Sequence, residues 1–167
     1  MKYALIGCGR ISPNHIAAAR NNDLEIAALC DLNLDAASAV ARHFGLKDLA
    51  LYTDYVSMLA EVQPEVVAIA TPSGLHASIA LDCLRAGSHV IIEKPIALSL
   101  SEADAIISLA EEKFLQVCVC HQNRFNRSVQ YIRKALEAGR FGRLLHGTAH
   151  VRWNRNAAYY NQAGWRG

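Results

Sequence analysis

Proline is scarce, with 4 in 167 residues, and glycine is modest at 10. Hydrophobic residues make up 52% and charged residues 19%. That balance excludes disorder, collagen-like repeats and low-complexity tracts. No apolar run approaches the roughly 18–20 residues that a membrane helix needs. The opening Met1-Lys2-Tyr3-Ala4-Leu5-Ile6-Gly7 carries only a short apolar run and no secretory cleavage pattern. No internal repeat is present. Cysteines number five, an odd count without Cys-x-x-Cys spacing. Neither a disulfide framework nor a metal site is therefore expected. Cys8, Cys30, Cys83, Cys118 and Cys120 read as small buried hydrophobes of a reducing, cytoplasmic setting. Cys118 and Cys120, two apart, would share one face of a strand.

Charge is unevenly distributed. Residues 1–120 hold 8 basic and 14 acidic side chains, a balance of −6. Residues 121–167 hold 9 basic and 1 acidic, a balance of +8. Such a basic end suits an anionic small substrate or a nucleic acid. No nucleic-acid-binding motif accompanies it, and Arg-rich faces also meet uronate and diphosphate groups. No nucleic-acid or membrane partner is expected.

Along residues 1–120 two patterns alternate. Short apolar runs predict buried strands at Tyr3–Ile6, Glu25–Cys30, Glu65–Ala70, His89–Ile92 and Gln116–Cys120, with a weaker one at Ala50–Tyr52. Helical spacing predicts Asn14–Arg20, Leu34–Phe44, Tyr55–Ala60, Leu75–Ala86 and Ser101–Lys113. Near-continuous hydrophobic strands alternating with helices imply a parallel sheet covered on both faces. With right-handed crossovers the result is a doubly wound α/β fold. Ser101 with Asp104 fits a helix-capping box, and Gly45 and Gly87 fit helix C-terminal caps.

After Cys120 the texture changes. Ser128–Ala138 predicts a further helix ending at Gly139, and Arg143–Arg152 reads as one strand. The last residues are aromatic and Arg-rich. A lone strand cannot bury a face. The expected organisation is a first domain over 1–120 and, over 121–167, a linker helix and the first strand of an incomplete second domain. An exposed edge and apolar surface there would favour association.

Four segments carry chemistry. Gly7-Cys8-Gly9-Arg10-Ile11-Ser12 follows the first strand and opens the first helix. Gly7 permits a tight turn, and Gly9 admits a pyrophosphate at the helix N-terminus. Ser12 stands where Gly or Ala is usual and should loosen helix–strand packing slightly. Asp31 ends the second strand, 22 residues after Gly9. A carboxylate there accepts hydrogen bonds from a ribose and repels a 2′-phosphate, so NAD is favoured over NADP. Thr71-Pro72-Ser73-Gly74-Leu75-His76 follows the fourth main strand, at the sheet edge where ligands bind. His76, at a helix start, suits a cofactor contact or a structural role equally. Glu93-Lys94-Pro95 follows the fifth main strand. A Lys there suits proton transfer to or from an alcohol if partly buried, though a surface Lys in a turn is the plain alternative. Pro95 would set its direction.

The order of these pieces resembles the Gfo/Idh/MocA oxidoreductase family along the whole chain. The resemblance rests on Gly7-Cys8-Gly9 with His15, Asp31, Thr71-Pro72-Ser73 with His76, and above all Glu93-Lys94-Pro95. Asn123-Arg124-Phe125-Asn126 looks like a family segment, although Arg127 replaces its frequent Pro. Arg152-Trp153-Asn154-Arg155, Tyr159-Tyr160 and Trp165-Arg166-Gly167 are similar to a bacterial subgroup containing nucleotide-sugar 3-dehydrogenases that act on UDP-linked N-acetylated uronic acids. The resemblance implies an NAD(P)-dependent oxidation of a sugar hydroxyl, with Lys94 as the catalytic or substrate-orienting lysine. Gly7, Gly9, Arg10, Ile11, Asp31, Thr71, Pro72, Ser73, His76, Glu93 and Lys94 would face the cofactor. Arg124, Asn126, Tyr159, Tyr160, Trp165 and Arg166 would face the sugar or nucleotide-sugar substrate. It also implies subunit contacts, hence a homo-oligomer. The family's remaining catalytic groups are expected beyond Trp165-Arg166-Gly167. The chain then looks like an N-terminal half, weakly active alone, with a non-catalytic NAD-binding or scaffold module as the alternative.

Overall fold

The computed structural model describes residues 1–161; Trp165 and Arg166 lie outside the described residues. Two compact units divide the chain, Met1–Cys120 and His121–Gly167. In the first, six strands form one sheet: β1 (Lys2–Ile6), β2 (Glu25–Cys30), β3 (Ala50–Tyr52), β4 (Val66–Ile69), β5 (His89–Ile92) and β6 (Val117–Val119). All neighbours pair in parallel, in the order β3-β2-β1-β4-β5-β6. Helices α1 (Ser12–Asn21), α2 (Leu34–His43), α3 (Tyr55–Val62), α4 (His76–Arg85) and α5 (Leu100–Glu112) supply the crossovers.

Side chains alternate across a strand, so a sheet buried on both faces needs two cores. Tyr3 and Leu5 of β1 enter one core with Ile16, Ala19, Ala37 and Val40 of α1 and α2. Ala4 and Ile6 enter the other with Met58, Leu59, Ile79, Leu84 and Ile106 of α3, α4 and α5. That double burial is why the strands read as unbroken apolar runs. The expected doubly wound α/β architecture is the one observed.

Helix ends follow sequence chemistry, with one correction. Gly45 and Gly87, each two residues past the last residue of a helix, take positive φ of +61° and +88°, as C-terminal caps do. The capping box of α5 is formed by Ser99 and Glu102, not Ser101 and Asp104. Ser99 has the extended backbone a cap residue needs, whereas Ser101 is already helical.

The second unit contains a short 3-10 turn over Gln122–Phe125, α6 (Arg127–Glu137) and the single helical turn α7 (Ala157–Tyr160). The strand expected over Arg143–Arg152 does not form: those residues have no ladder partner among the described residues. Apolar and β-branched residues favour a strand only when a neighbour accepts their backbone hydrogen bonds. α6 has no buried residue, and Val129, Ile132 and Leu136 stand exposed. No helix among the described residues is long and apolar enough to cross a membrane.

Candidate functional site at the carboxyl edge of the sheet

Parallel register brings the residues that follow the strands into one row. Ile6 pairs with Cys30 and Ile69, Ile69 with Ile92, and Ile92 with Val119. The next residues are therefore Gly7, Asp31, Ala70, Glu93 and Cys120. Their backbone amides continue the ladder: Gly7 N–H donates to Cys30 O at 2.8 Å, Ala70 to Ile6 O at 2.8 Å, Glu93 to Ile69 O at 3.0 Å and Cys120 to Ile92 O at 2.9 Å. Strand order reverses between β1 and β4, and ligands of open α/β sheets bind at such a switch point.

Gly7 sits at that point with φ +97°. A Cβ on it would lie 2.6 Å from the carbonyl carbon and oxygen of Ala70 and 2.9 Å from the Thr71 nitrogen. Gly9 differs, because a Cβ there would meet nothing within 4 Å. Packing thus demands the first glycine, and only open space surrounds the second. Ser12 is fully buried, and its hydroxyl donates to Gly9 O at 2.6 Å. The third motif position therefore pins the turn through a hydrogen bond, rather than loosening it. Arg10 and Ile11 complete the turn, Ile11 preceding α1 without a side-chain cap. By contrast, Asn33, Asp54 and Ser99 cap α2, α3 and α5 with their side chains.

The Asp31 carboxylate joins this turn to β2. Its Oδ2 accepts the Cys8 N–H at 2.7 Å, and its Oδ1 accepts the Asn33 N–H at 2.8 Å. Leu32 beside it is exposed. Burial first, then the Asp31 charge, pushes the Cys8 thiol up to about 12.

Beyond β4, Thr71, Pro72 and Ser73 lead into α4. Thr71 Oγ1 is buried and has no hydrogen-bond partner among the described residues. His76 is only 1% exposed; its Nδ1 lies 2.7 Å from Pro95 O and its Nε2 2.9 Å from Thr71 O. Of the two roles open to His76 in the sequence, these contacts describe the structural one. With both nitrogens engaged, the ring ties the end of β4 to the Glu93-Lys94-Pro95 turn. The Lys94-Pro95 peptide is cis. Lys94 is exposed rather than partly buried, and forms no ion pair among the described residues.

Glu93 turns inward. Its Oε1 lies 3.1 Å from His15 Nε2, a residue of α1 that is 9% exposed. Cys120 joins them, and the three donor atoms lie within 4.8 Å of one another. Burial, then Glu93, pushes the Cys120 thiol up to about 11. Cys118 is exposed. Sequence reasoning noted His15 only through a family motif and read Cys120 only as a small buried hydrophobe. Their meeting depends on contacts across 78 residues, which local pattern does not encode.

The second unit gathers its own side chains. Arg124 lies in the 3-10 turn, and Asn126 precedes α6, with its Nδ2 donating to Asn123 Oδ1 at 3.4 Å. The Arg155 guanidinium stands 4.5 Å from the Tyr159 ring centroid and 4.8 Å from that of Trp153. Tyr159 and Tyr160 meet edge to face at 5.3 Å.

This strand order, with a glycine turn at its switch point, defines a dinucleotide-binding α/β domain. The chain belongs to the Gfo/Idh/MocA oxidoreductase family, whose NAD-binding Rossmann fold matches residues 1–121. The WlbA dehydrogenase of Bordetella pertussis, solved with NADH and UDP-GlcNAcA, is 37% identical, with TM-score 0.91 over 99% of this chain and 50% of its own. The WlbA dehydrogenase of Chromobacterium violaceum, solved with the same two ligands, is 34% identical, with TM-score 0.93 over 100% of this chain and 48% of its own. A 4-carboxy-2-hydroxymuconate-6-semialdehyde dehydrogenase from Sphingobium is 35% identical over 140 residues, which is 83% of this chain and 44% of that protein. The chain spans less than half the length of the curated relatives it matches.

Proposed function

We propose that the protein serves an NAD-dependent dehydrogenase that oxidises a hydroxyl of a nucleotide-linked sugar. The observation that carries the cofactor assignment is the switch point itself: Gly7 packed on Ala70, open space at Gly9, and α1 without a side-chain cap. The turn Gly7–Ile11 would hold the pyrophosphate, Asp31 the adenosine ribose, and Thr71, Pro72 and Ser73 the walls of the crevice. The Asp31 carboxylate and exposed Leu32 favour NAD over NADP. When bound, NAD supplies the hydride acceptor. Lys94, exposed on its turn, would hold and orient the sugar hydroxyl. Glu93 would act from behind through His15, and His76 would keep the Lys94 turn against β4.

Likeness to two WlbA dehydrogenases across nearly the whole chain supports a UDP-linked N-acetylated uronic acid as the substrate class. We read residues 121–167 as serving the substrate, with Arg124, Asn126, Tyr159, Tyr160, Trp165 and Arg166 toward the sugar nucleotide. The exposed apolar residues of α6 support a homo-oligomer, and the free cysteines suit the cytoplasm. Hydride transfer needs the substrate carbon held against the nicotinamide, and positioning of that kind contributes about 7–11 kcal/mol. The described crevice should therefore bind NADH with the nicotinamide toward Lys94.

Calorimetric titration with NADH and NADPH tests the reading. A folded polypeptide that binds NADH, and loses it in Gly9→Val, supports it. Absence of a complex with either nucleotide overturns it.

A further inference from the structure

We infer that His15, Glu93 and Cys120 form a binding site for a borderline-soft divalent cation such as Zn²⁺. The cysteine count and the lack of Cys-x-x-Cys spacing argue against zinc in the sequence. The fold brings together one imidazole nitrogen, one carboxylate oxygen and one sulfur within 4.8 Å. A tetrahedral zinc with bonds of about 2.0–2.3 Å separates its ligands by about 3.4–3.6 Å. The His15–Glu93 pair already stands at 3.1 Å. The widest separation must close by only about 1 Å to match that geometry.

Rigid elements carry the ligands. His15 lies inside α1, while Glu93 and Cys120 follow β5 and β6 and are held by ladder bonds to Ile69 O and Ile92 O. All three side chains are buried or half-buried, which separates this group from ordinary surface acids. Oxygen-seeking Mg²⁺ and Ca²⁺ gain little from imidazole and sulfur, whereas Zn²⁺ and Co²⁺ accept all three donors. Three protein ligands leave one position for water or a small anion. On binding, the metal–sulfur bond forms, the Cys120 S–H proton passes to solvent, and the His15–Glu93 hydrogen bond breaks. No oxidation occurs. The cation would bridge α1, which follows the glycine turn, to the residue beside Lys94.

Co²⁺ titration of the chain under reducing conditions tests the site independently of nucleotide binding. One equivalent should produce a thiolate-to-cobalt charge-transfer band that Zn²⁺ displaces. The band should persist in Cys118→Ser and vanish in Cys120→Ser. X-ray absorption of the wild-type zinc complex should show one sulfur at about 2.3 Å and nitrogen or oxygen ligands near about 2.0 Å. Zn²⁺ should raise Tm in the wild type and in Cys118→Ser. In Cys120→Ser and His15→Gln it should not. A band that depends on Cys118, a zinc shell lacking sulfur, or no saturable binding overturns the assignment, and the wild-type spectra decide the matter even where a variant fails to fold.

Discussion

Gly7 lies so close to Ala70 that a methyl group on it would stand 2.6 Å from the Ala70 carbonyl carbon and oxygen. That contact joins the first strand's exit to the fourth's, and it separates the two glycines of the motif by function. Gly7→Ala meets both the clash and a φ of +97°, and should destabilise by about 1–3 kcal/mol or more. Gly9→Ala should leave the unfolding free energy within about 0.5 kcal/mol of wild type while weakening NADH binding. Denaturation and calorimetry on the two variants separate packing from ligand access; equal stability losses would contradict the division.

Asp31 holds the Cys8 amide and, in the proposed reading, a ribose. Asp31→Asn keeps an oxygen acceptor but removes the charge, so stability should fall by about 1 kcal/mol. Its preference for NADH over NADPH should drop by about tenfold, or about 1.4 kcal/mol. Paired titrations with both nucleotides read that ratio, and an unchanged ratio counts against Asp31 as the discriminating group.

His76 bridges two carbonyl oxygens in a buried setting. His76→Phe keeps the ring volume but removes the buried ring N–H that a carbonyl oxygen accepts, and should destabilise by about 1–3 kcal/mol. Proteolysis should then nick the chain near Lys94, because the turn loses its tie to β4. A protected turn in a destabilised variant would assign the ring to packing alone.

The cap of α5 offers a local check. Ser99→Ala should cost about 1 kcal/mol, and Ser101→Ala close to nothing. The reverse order would restore the register expected from the sequence.

Cys83 is completely buried, and burial, then Asp82, pushes its thiol from 9.0 up to about 12. A folded-state value above the unfolded one means the folded chain holds the proton more tightly. The associated stability is therefore complete below about pH 9 and declines toward pH 12, with a slope approaching about 1.4 kcal/mol per pH unit for this group. Alkaline denaturation series on the wild type and Cys83→Ala measure the difference. In alkylation at neutral pH, exposed Cys118 should react before Cys8, Cys30 and Cys83.

Local pattern revealed much of the fold. Glu25–Cys30 and His89–Ile92 appear with the expected bounds because burial leaves a clear apolar run, and the weaker edge strand Ala50–Tyr52 also keeps its expected bounds. Arg143–Arg152 has the same texture without a strand, since pairing depends on a neighbour that texture cannot supply. Ser12 was read as a slight defect of packing, yet its hydroxyl finds Gly9 O through a bond visible only once the turn is folded.

The amino-acid order by itself determined which residue follows each strand and which helices cross between them, because burial and backbone preference act over a few residues. Tertiary structure decided that those residues stand in one row, that Asp31 holds Cys8, and that His15, Glu93 and Cys120 converge. The physical reason is parallel register. Hydrogen bonds between strands distant in sequence set the level at which each ends, and only that common level turns scattered residues into one site.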